Sequence, residues 1–327
     1  MAKIIDLVTN AGQVDVTRGI VEEALKACPE MQFFDADVVA GTTIQTLARI
    51  SLPTVAFRNI GDPVSSSRSG YALRTATLKL LSGRAEVTEA EVKANGLQSK
   101  DELCVSEAIA VLTAAFQHLS KQIWYGTGSD AKGFLGATSL VDAAMVTRAG
   151  NGTANANTSV WFVGNGAKTK CGIVFSKNSG ILAEKDVEFI RGDIQVKETV
   201  TINDEEKEIV TGVEPGWIGD LTSYAALLLS NKKSLARLCN VTATTGLTDD
   251  MLADSVDAFT QMNDGVKPDG IFMSYGARRM LRKSRNLTLQ AKGITVNSYA
   301  VTPEDFDGIP IIATNAIIDT EAVVAAA

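Results

Sequence analysis

The chain has 327 residues, of which 45% are hydrophobic and 21% are charged, and its formal net charge is −7 at pH 7. This is the composition of a globular protein with one large domain or two closely packed ones. Lys and Arg are scattered along the chain, which argues against a dedicated nucleic-acid binder with a basic stripe but leaves weak contact with packaged nucleic acid open.

Membrane, secreted and metal-binding proteins are also disfavoured. No apolar run approaches the ~20 residues of a membrane span, and the first residues, MAKIIDLVTNAGQVDV, lack the charged and apolar regions of a secretory signal. Four cysteines (Cys28, Cys104, Cys171 and Cys239) and one histidine are widely spaced and form no Cys/His cluster. We therefore expect reduced thiols in a cytoplasmic setting, no structural metal and no membrane partner.

The first part of the chain predicts an arm followed by a projecting hairpin. The segment DVTRGIVEEALKACPE (15–30) has a helical pattern that Pro29 ends, and the rest of residues 1–50 has no sustained period. Residues 51–82 then place two apolar runs, Leu52–Phe57 and Tyr71–Leu81, around a polar, Ser-rich middle. This pattern predicts a hairpin with a soft tip and two arms, each reaching about 40 Å.

The longest helix is predicted over DELCVSEAIAVLTAAFQHLSKQIWYG (101–126). Its apolar residues recur at helical spacing, at Val105, Ala108, Ile109, Leu112, Ala115, Phe116, Leu119 and Ile123. Asp101 is the expected N-cap and Gly126 the expected end. At 1.5 Å per residue this helix would run about 35 Å, and we name residues 102–124 the spine helix.

The second half of the chain predicts short strands and helices. SVWFVG, KCGIVFS and GIFMS predict strands, and residues 186–213 predict a second hairpin with an acidic turn. Thr248 and Ser274 are the expected N-caps of two helices, the first beginning with Asp249 and Asp250 and the second basic (YGARRMLRKSR). FDGIPIIATNAII predicts a C-terminal strand. The predicted fold class is α+β.

Two Gly-rich segments are candidates for a ligand site. Gly164, Gly166 and Lys168 do not have the spacing of a phosphate-binding loop, and a strand follows where such a loop opens a helix. The segment 126–133 follows a helix instead of starting one, which favours a helix end with a mobile loop. Both segments are therefore interpreted as turns.

The charged candidates are no more specific. His118 has no partner evident in the sequence, and the acidic residues at 203–208 lack the spacing of a calcium loop. A basic run favours a solvated face or pairing with acids on a neighbour, and comprises Arg278, Arg279, Arg282, Lys283 and Arg285. We predict no catalytic residue, no cofactor and no metal, and we do not expect an enzyme.

The 51–82 hairpin needs a surface to cover, because an isolated two-stranded ribbon is only marginally stable in water. Its apolar residues are Val55, Phe57, Leu73, Leu78 and Leu80. Its arginines suit charge-assisted contacts with the acids of another subunit. We therefore expect inter-subunit contacts at Phe57, Arg58, Arg68, Arg74 and Leu78, in a protein that interlocks with copies of itself.

Four stretches resemble tailed-phage major capsid proteins of the Hong Kong 97-type fold, most closely the short-tailed-phage branch typified by epsilon-fifteen. LPTVAFRNIGDPVSSSRSGYALRTATLKLLSGRAEV resembles the extended loop of that family, and SEAIAVLTAAFQHLSKQIWYGTGSDAKGFLGA its spine helix. KPDGIFMSYGARRML is similar to the apical strand and helix, and DFDGIPIIATNAI to the C-terminal strand. The order of these stretches agrees with the family over nearly the whole chain.

The resemblance implies four regions. Residues 1–50 would form an N-terminal arm and residues 51–90 the extended loop. Residues 91–213 would form the peripheral domain with the spine helix and the 186–213 hairpin, together with part of the axial domain near 140–180. Residues 214–327 would form mainly the axial domain and the C-terminal strand.

The resemblance also implies a function. The chain would be the coat protein that self-assembles, as pentamers and hexamers, into the icosahedral shell around the double-stranded DNA genome of a tailed phage. It would be made in the host cytoplasm and reside in the virion. Its partners would include a separate scaffolding protein, a portal and a decoration protein, with weak contact to packaged DNA. Lys79 lies near the base of the loop, so a covalent Lys–Asn cross-link is not expected.

Two alternatives stay open at this point. An encapsulin-like compartment shares the implied fold and would package a cargo enzyme without portal or scaffold, although the branch resemblance favours a phage shell. A soluble enzyme using a Gly-rich loop at 126–133 or 164–170 would need convergent acids and a cleft, and it would form a small discrete oligomer.

Overall fold

The computed structural model describes residues 28–60, 62–94, 99–166, 169–177, 189–202, 205–291 and 301–325. The helices within these ranges are α1 (Glu30–Phe33), α2 (Glu89–Ala94), α3 (Lys100–Tyr125), α4 (Ala137–Leu140), α5 (Asp249–Met262) and α6 (Tyr275–Ala291). Short 3-10 turns lie at Gly126–Gly128, Ala143–Met145 and Lys232–Ser234. Most of the helix predicted at 15–30 falls outside the described residues.

Thirteen strands are described in the same ranges. They are β1 (Asp35–Val39), β2 (Thr43–Ser51), β3 (Gly70–Thr77), β4 (Lys79–Thr88), β5 (Val146–Arg148), β6 (Thr158–Val163), β7 (Cys171–Ser176), β8 (Phe189–Ile202), β9 (Glu205–Leu229), β10 (Leu235–Val241), β11 (Gly270–Ser274), β12 (Asp305–Phe306) and β13 (Ile309–Thr314). The mixture of helices and sheets agrees with the predicted α+β class.

The strands form three sheets. One five-stranded sheet has the order β1-β7-β9-β4, with β8 also paired to β9, and a six-stranded sheet has the order β12-β13-β11-β6-β10-β5. The third is the two-stranded β2-β3 ribbon. β6, β7 and β11 are buried at every residue, as their uninterrupted apolar runs require of strands covered on both faces. The segment from Gly164 to Lys170 carries the chain from the six-stranded sheet to the five-stranded one.

The spine helix is α3, and its first turn is set by a capping box. The Ser99 side chain accepts from the Glu102 amide, and the Glu102 side chain accepts from the Ser99 amide. The N-cap is therefore Ser99 and not Asp101, because Ser99 keeps extended backbone angles while Asp101 is already helical. Gly126 ends the helix as predicted, with φ +54°, and a Cβ there would meet the backbone of Gly136.

The two halves of the spine helix differ in burial. Ala115, Phe116, Leu119 and Ile123 are buried, whereas Val105, near the other end, is 41% exposed. Residues Lys100–Gly128 are long and apolar enough to cross a membrane, contrary to the sequence expectation, but a core helix of a globular protein meets the same criterion. The half-exposed apolar positions of the N-terminal half therefore remain available to another surface.

The main core lies between the two larger sheets. Trp124 from the spine helix, Trp161 from β6 and Phe272 from β11 pack there with ring centroids 5.1–5.6 Å apart. Phe34, just after α1, stacks on Phe272 at 5.8 Å. Buried Glu30 accepts a hydrogen bond from the Trp124 indole at 3.0 Å. The short α1 thus fastens the chain to the core before β1.

A second core covers the other face of the six-stranded sheet. Leu252, Val256 and Phe259 of α5 and Ala277 and Leu281 of α6 are buried there against strand residues of that sheet. The N-caps predicted for these helices are confirmed, because Thr248 accepts from the Met251 amide and Ser274 from the Ala277 amide. α5 and α6 therefore lie side by side with their remaining faces toward solvent.

The structure revises the predicted hairpin boundaries. The first strand of the ribbon is Thr43–Ser51, whereas the run Leu52–Phe57 has no regular secondary structure. Tyr71–Leu81 is divided between β3, in the ribbon, and β4, which pairs with β9. The second hairpin is confirmed, but its returning strand β9 continues to Leu229 because residues 216–229 pair with β4 and β7.

Candidate inter-subunit surfaces

The β2-β3 ribbon is antiparallel and presents two unlike faces. On the inner face, Ile44 and Ala76 pack against a small buried cluster formed by Leu78, Val174 and Ala226. This contact fixes the base of the ribbon to its own subunit. The alternating half-buried and exposed pattern of β3 then follows from the period of two along a strand.

The outer face of the ribbon carries an exposed apolar pair near its middle. Leu47 and Leu73 lie directly opposite each other across the two strands, and they are 66% and 60% exposed. Tyr71, two residues before Leu73 on the same face, is also exposed. Neighbouring apolar side chains at a cross-strand pair form a continuous patch, so this face is suited to burial against another surface.

The tip of the ribbon, residues 52–69, carries the most exposed apolar side chains. Phe57 and Ile60 are as accessible as in an extended peptide, at 109% and 107%. The base of the tip is closed by hydrogen bonds from Ser67 Oγ to the Thr54 carbonyl and from the Gly70 amide to Ser51 Oγ, each 3.0 Å. An ordered base with bare aromatic and aliphatic side chains beyond it indicates a contact site.

The predicted contact residues do not all lie in the tip. Phe57, Arg58 and Arg68 are exposed there, and the Arg58 guanidinium donates to the Asp62 carbonyl within the same turn. Arg74 is half-buried on β3, on the opposite face from Leu73. The structure corrects the prediction for Leu78. Its side chain is 4% exposed and packs within its own chain, between Val174 and Ala226. The sequence shows Leu78 as apolar but not which subunit buries it.

A second ribbon extends from the five-stranded sheet. β8 and β9 pair from Phe189 with Gly219 to Ile202 with Glu205, while β4 leaves β9 at Gly216. Beyond that point, β8 and β9 pair only with each other within the described residues. Val210 and Val213 are exposed on this part, and it forms a second uncovered surface that the sequence predicted only as a hairpin.

The Gly-rich segments have structural roles. The Gly164 amide donates to the Ser234 carbonyl at 2.9 Å and the Cys171 amide donates to the Gly164 carbonyl at 3.1 Å, so Gly164 is hydrogen-bonded to residues next to both larger sheets. The 126–133 segment closes the spine helix. His118 Nε2 lies 3.4 Å from Asp130 Oδ2, with both side chains partly exposed. This pair joins the helix to the following loop.

No cluster suited to a metal occurs among the described residues. The four cysteines are buried free thiols, and burial raises the pKa of each of the Cys28, Cys104, Cys171 and Cys239 thiols. A raised pKa keeps a thiol in its unreactive protonated form.

Comparison with known proteins identifies the family to which the chain belongs. Residues 21–325 match the family model described as "Major capsid protein GP7". The chain belongs to the major capsid protein GP7 family. None of the curated proteins compared with it matches significantly.

Solved structures confirm the fold of this capsid protein. A chain of the bacteriophage epsilon15 cryo-EM structure is 18% identical and superimposes with a TM-score of 0.57 over 89% of this chain and 88% of that one. The bacteriophage JBD30 capsid is 13% identical, with a TM-score of 0.45 over 86% of this chain and 88% of that one. The SrpI encapsulin of Synechococcus elongatus PCC 7942 is 8% identical, with a TM-score of 0.42 over 66% and 88%.

The predicted Hong Kong 97-type fold and the role of tailed-phage major capsid protein are thus confirmed. The chain is a structural protein of the virion, and copies of itself are its partners in the shell. The encapsulin-like alternative is not favoured, because the family matched over nearly the whole chain is that of a viral coat protein.

A buried carboxylate, which sequence analysis did not single out, holds the C-terminal segment of this capsid protein. Glu321 is 2.9 Å from the Arg237 guanidinium and accepts from Ser159 Oγ at 2.5 Å and from the Tyr125 hydroxyl at 2.6 Å. Its backbone pairs with Asn157. The spine helix, β6 and β10 are thereby joined through one residue near the C-terminus. A single Glu near a chain end carries no sequence signal of such a role.

Proposed function

We propose that the β2-β3 ribbon and its tip cover a neighbouring subunit of the shell, so that their apolar side chains are buried only after assembly. The observation that carries this proposal is the full exposure of Phe57 and Ile60 beyond an ordered base. Burial of apolar surface contributes about 25 cal/mol per Å². Association costs offset part of that gain at each interface. The remaining stabilisation is repeated at every copy of the interface in the shell.

The arginines of the ribbon can add directional hydrogen bonds to this contact. Arg58 and Arg68 lie in the exposed tip, where a guanidinium can form charge-assisted bonds with a neighbour's carboxylates. Arg74 lies half-buried in β3 and would act closer to the base. The proposed contact set is therefore Phe57, Arg58, Arg68 and Arg74.

The remaining features of the proposal concern the whole shell. The subunits would form pentamers and hexamers of an icosahedral shell, with residues 1–50 as arm, 51–90 as extended loop, 91–213 mainly as peripheral domain and 214–327 mainly as axial domain. The protein would be made in the host cytoplasm. Its further partners would be a separate scaffolding protein, a portal and a decoration protein, and it would contact the packaged DNA weakly. The net charge of −7 supports a lining that does not hold the genome tightly.

Negative-stain electron microscopy of the expressed protein, alone and together with the products of its neighbouring genes, tests this proposal. We expect closed shells or capsomers, with closed shells dependent on a scaffold gene. The variant Phe57→Ser with Ile60→Ser should remain folded but form far fewer shells. Reversal of Arg58, Arg68 and Arg74 to Glu should also reduce assembly. Shells of normal yield from both variants would refute the role of the ribbon.

A further inference from the structure

The two helices on the outer side of the six-stranded sheet carry opposite charges. α5 has four aspartates and no Lys or Arg, and α6 has five Lys and Arg residues and no Asp or Glu. On α5 the exposed aspartates are Asp250, Asp254 and Asp257, which recur at helical spacing and which we name the acidic face. On α6 the exposed residues Arg279 and Lys283, together with half-buried Arg278, form the basic face.

Both faces are directed away from the sheet by the packing of their helices. Asp254 lies between buried Leu252 and Val256, and Arg279 lies between buried Ala277 and Leu281. A residue midway between two core positions spaced four apart lies on the opposite side of a helix. The solvent-facing charge pattern is therefore fixed by the same residues that build the second core.

One acid–base pair already joins the two helices within the subunit. Arg285 Nη2 lies 2.9 Å from Asp249 Oδ1, and Arg285 Nε lies 3.1 Å from Oδ2, which is the bidentate arrangement. The Arg278 guanidinium stacks 5.0 Å from the ring of Tyr275. Within the described residues no ion pair or hydrogen bond of the side chains of Asp254, Asp257, Arg279 or Lys283 is found. These four charges face solvent on adjacent helices.

We propose that the acidic face of α5 on one subunit docks on the basic face of α6 on a neighbouring copy in the shell. The inference rests on the shell-forming function and adds a second contact, distinct from the ribbon. Charge complementarity supports it, because a second copy presents both signs in the same side-by-side arrangement. Complementary faces steer subunits together and penalise wrong registers.

A nucleic acid fits this surface less well than a second copy does. Packed helices lie 8–10 Å apart, which is about one Debye length at physiological ionic strength. A phosphate backbone on the basic face would therefore lie within reach of the three exposed carboxylates of α5. A second copy differs from a phosphate backbone, because it can place its own basic face opposite the carboxylates of α5 while its acidic face meets α6.

Paired charge reversals test the contact. The acid-reversed variant carries Asp254→Lys and Asp257→Lys, and the base-reversed variant carries Arg279→Glu and Lys283→Glu. Asp249 and Arg285 stay intact, so the internal ion pair is kept. Each variant alone should form about tenfold fewer shells than wild type, because like charges then face each other between copies. An equal mixture of the two variants should recover shells, because every reversed face then meets a face of opposite charge on the other variant.

The controls separate this inference from folding defects and from the shell function itself. The charge-preserving pairs Asp254→Glu with Asp257→Glu, and Arg279→Lys with Lys283→Arg, should assemble like wild type. Wild-type shells in the same assay report the coat function independently. The inference is overturned if the reversed variants assemble normally, or if both fold and their mixture still fails. Normal shells of the base-reversed variant with less packaged DNA would also overturn it and assign α6 to nucleic acid.

Discussion

The hydroxyl of Tyr125 donates a hydrogen bond of 2.6 Å to Oε1 of Glu321 and accepts one of 3.0 Å from the Ile318 amide. The last residue of α3 is thereby joined to the C-terminal segment. Burial, and then the neighbouring Glu321 carboxylate, raise the pKa of the Tyr125 phenol. The native state therefore holds this proton more firmly than the unfolded chain does.

This relationship predicts a loss of stability in alkali. Below the ordinary tyrosine pKa of about 10 the phenol is protonated in both states, and its contribution to stability is complete. Above that pH the unfolded chain loses the proton while the native state retains it. The free energy of unfolding should fall by about 1.4 kcal/mol per pH unit from this group.

The variant Tyr125→Phe isolates that effect. We expect it to lower the free energy of unfolding at neutral pH by about 1–3 kcal/mol, because Glu321 and the Ile318 amide lose a buried partner. Above pH 10 its stability should fall less steeply than that of wild type in chemical denaturation. The Cys171 thiol, whose pKa burial also raises, titrates in both proteins and cancels in the comparison. Parallel curves above pH 10 would contradict the prediction.

The Arg237–Glu321 ion pair predicts a strong coupling. The two side chains are 11% and 4% exposed, and Arg237 also lies 5.1 Å from the Trp161 ring. Removing the charge with Glu321→Gln leaves a buried guanidinium without a counter-charge, and it should cost about 3–5 kcal/mol. Adding Arg237→Met to Glu321→Gln should recover part of that loss. Strictly additive single effects in a double-mutant cycle by denaturant titration would argue against the coupling.

The predictions from the sequence agree best with the structure where one local rule determines the secondary structure. The apolar period of the spine helix, the caps at Thr248 and Ser274, and the buried run GIFMS were each predictable. The first strand of the ribbon was not, because Thr43–Ser51 lacks a strong apolar pattern and pairs with residues beyond the intervening tip. The contact of Tyr125 with Glu321 spans 196 positions, and no local pattern encodes it.

The corrected N-cap of the spine helix can be tested by substitution. Ser99→Ala removes the side-chain acceptor for the Glu102 amide and opens the capping box, and should lower the free energy of unfolding by about 1 kcal/mol. Asp101→Ala, the matched control at the position that sequence analysis favoured, should cost less, since Asp101 contributes only its charge in the first turn. A larger loss for Asp101→Ala than for Ser99→Ala in thermal unfolding would reverse this assignment.

Leu78 and Leu73 provide a matched pair that separates folding from assembly. The two leucines are five positions apart, with Leu73 inside the ribbon and Leu78 at its base, but Leu78 is 4% exposed and Leu73 is 60% exposed. Leu78→Ala leaves a cavity beside Val174 and Ala226, and it should lower the free energy of unfolding of the subunit by about 2–5 kcal/mol.

Leu73→Ala should have the opposite signature. The side chain already faces solvent in the subunit, so its loss should change the free energy of unfolding by less than about 0.5 kcal/mol. The same change removes half of the Leu47–Leu73 pair from the outer face of the ribbon, and the yield of shells should fall. Denaturation of the unassembled subunit and particle counts by electron microscopy measure the two effects separately. An unchanged particle yield for Leu73→Ala would contradict the prediction that Leu73 contributes to the contact between subunits.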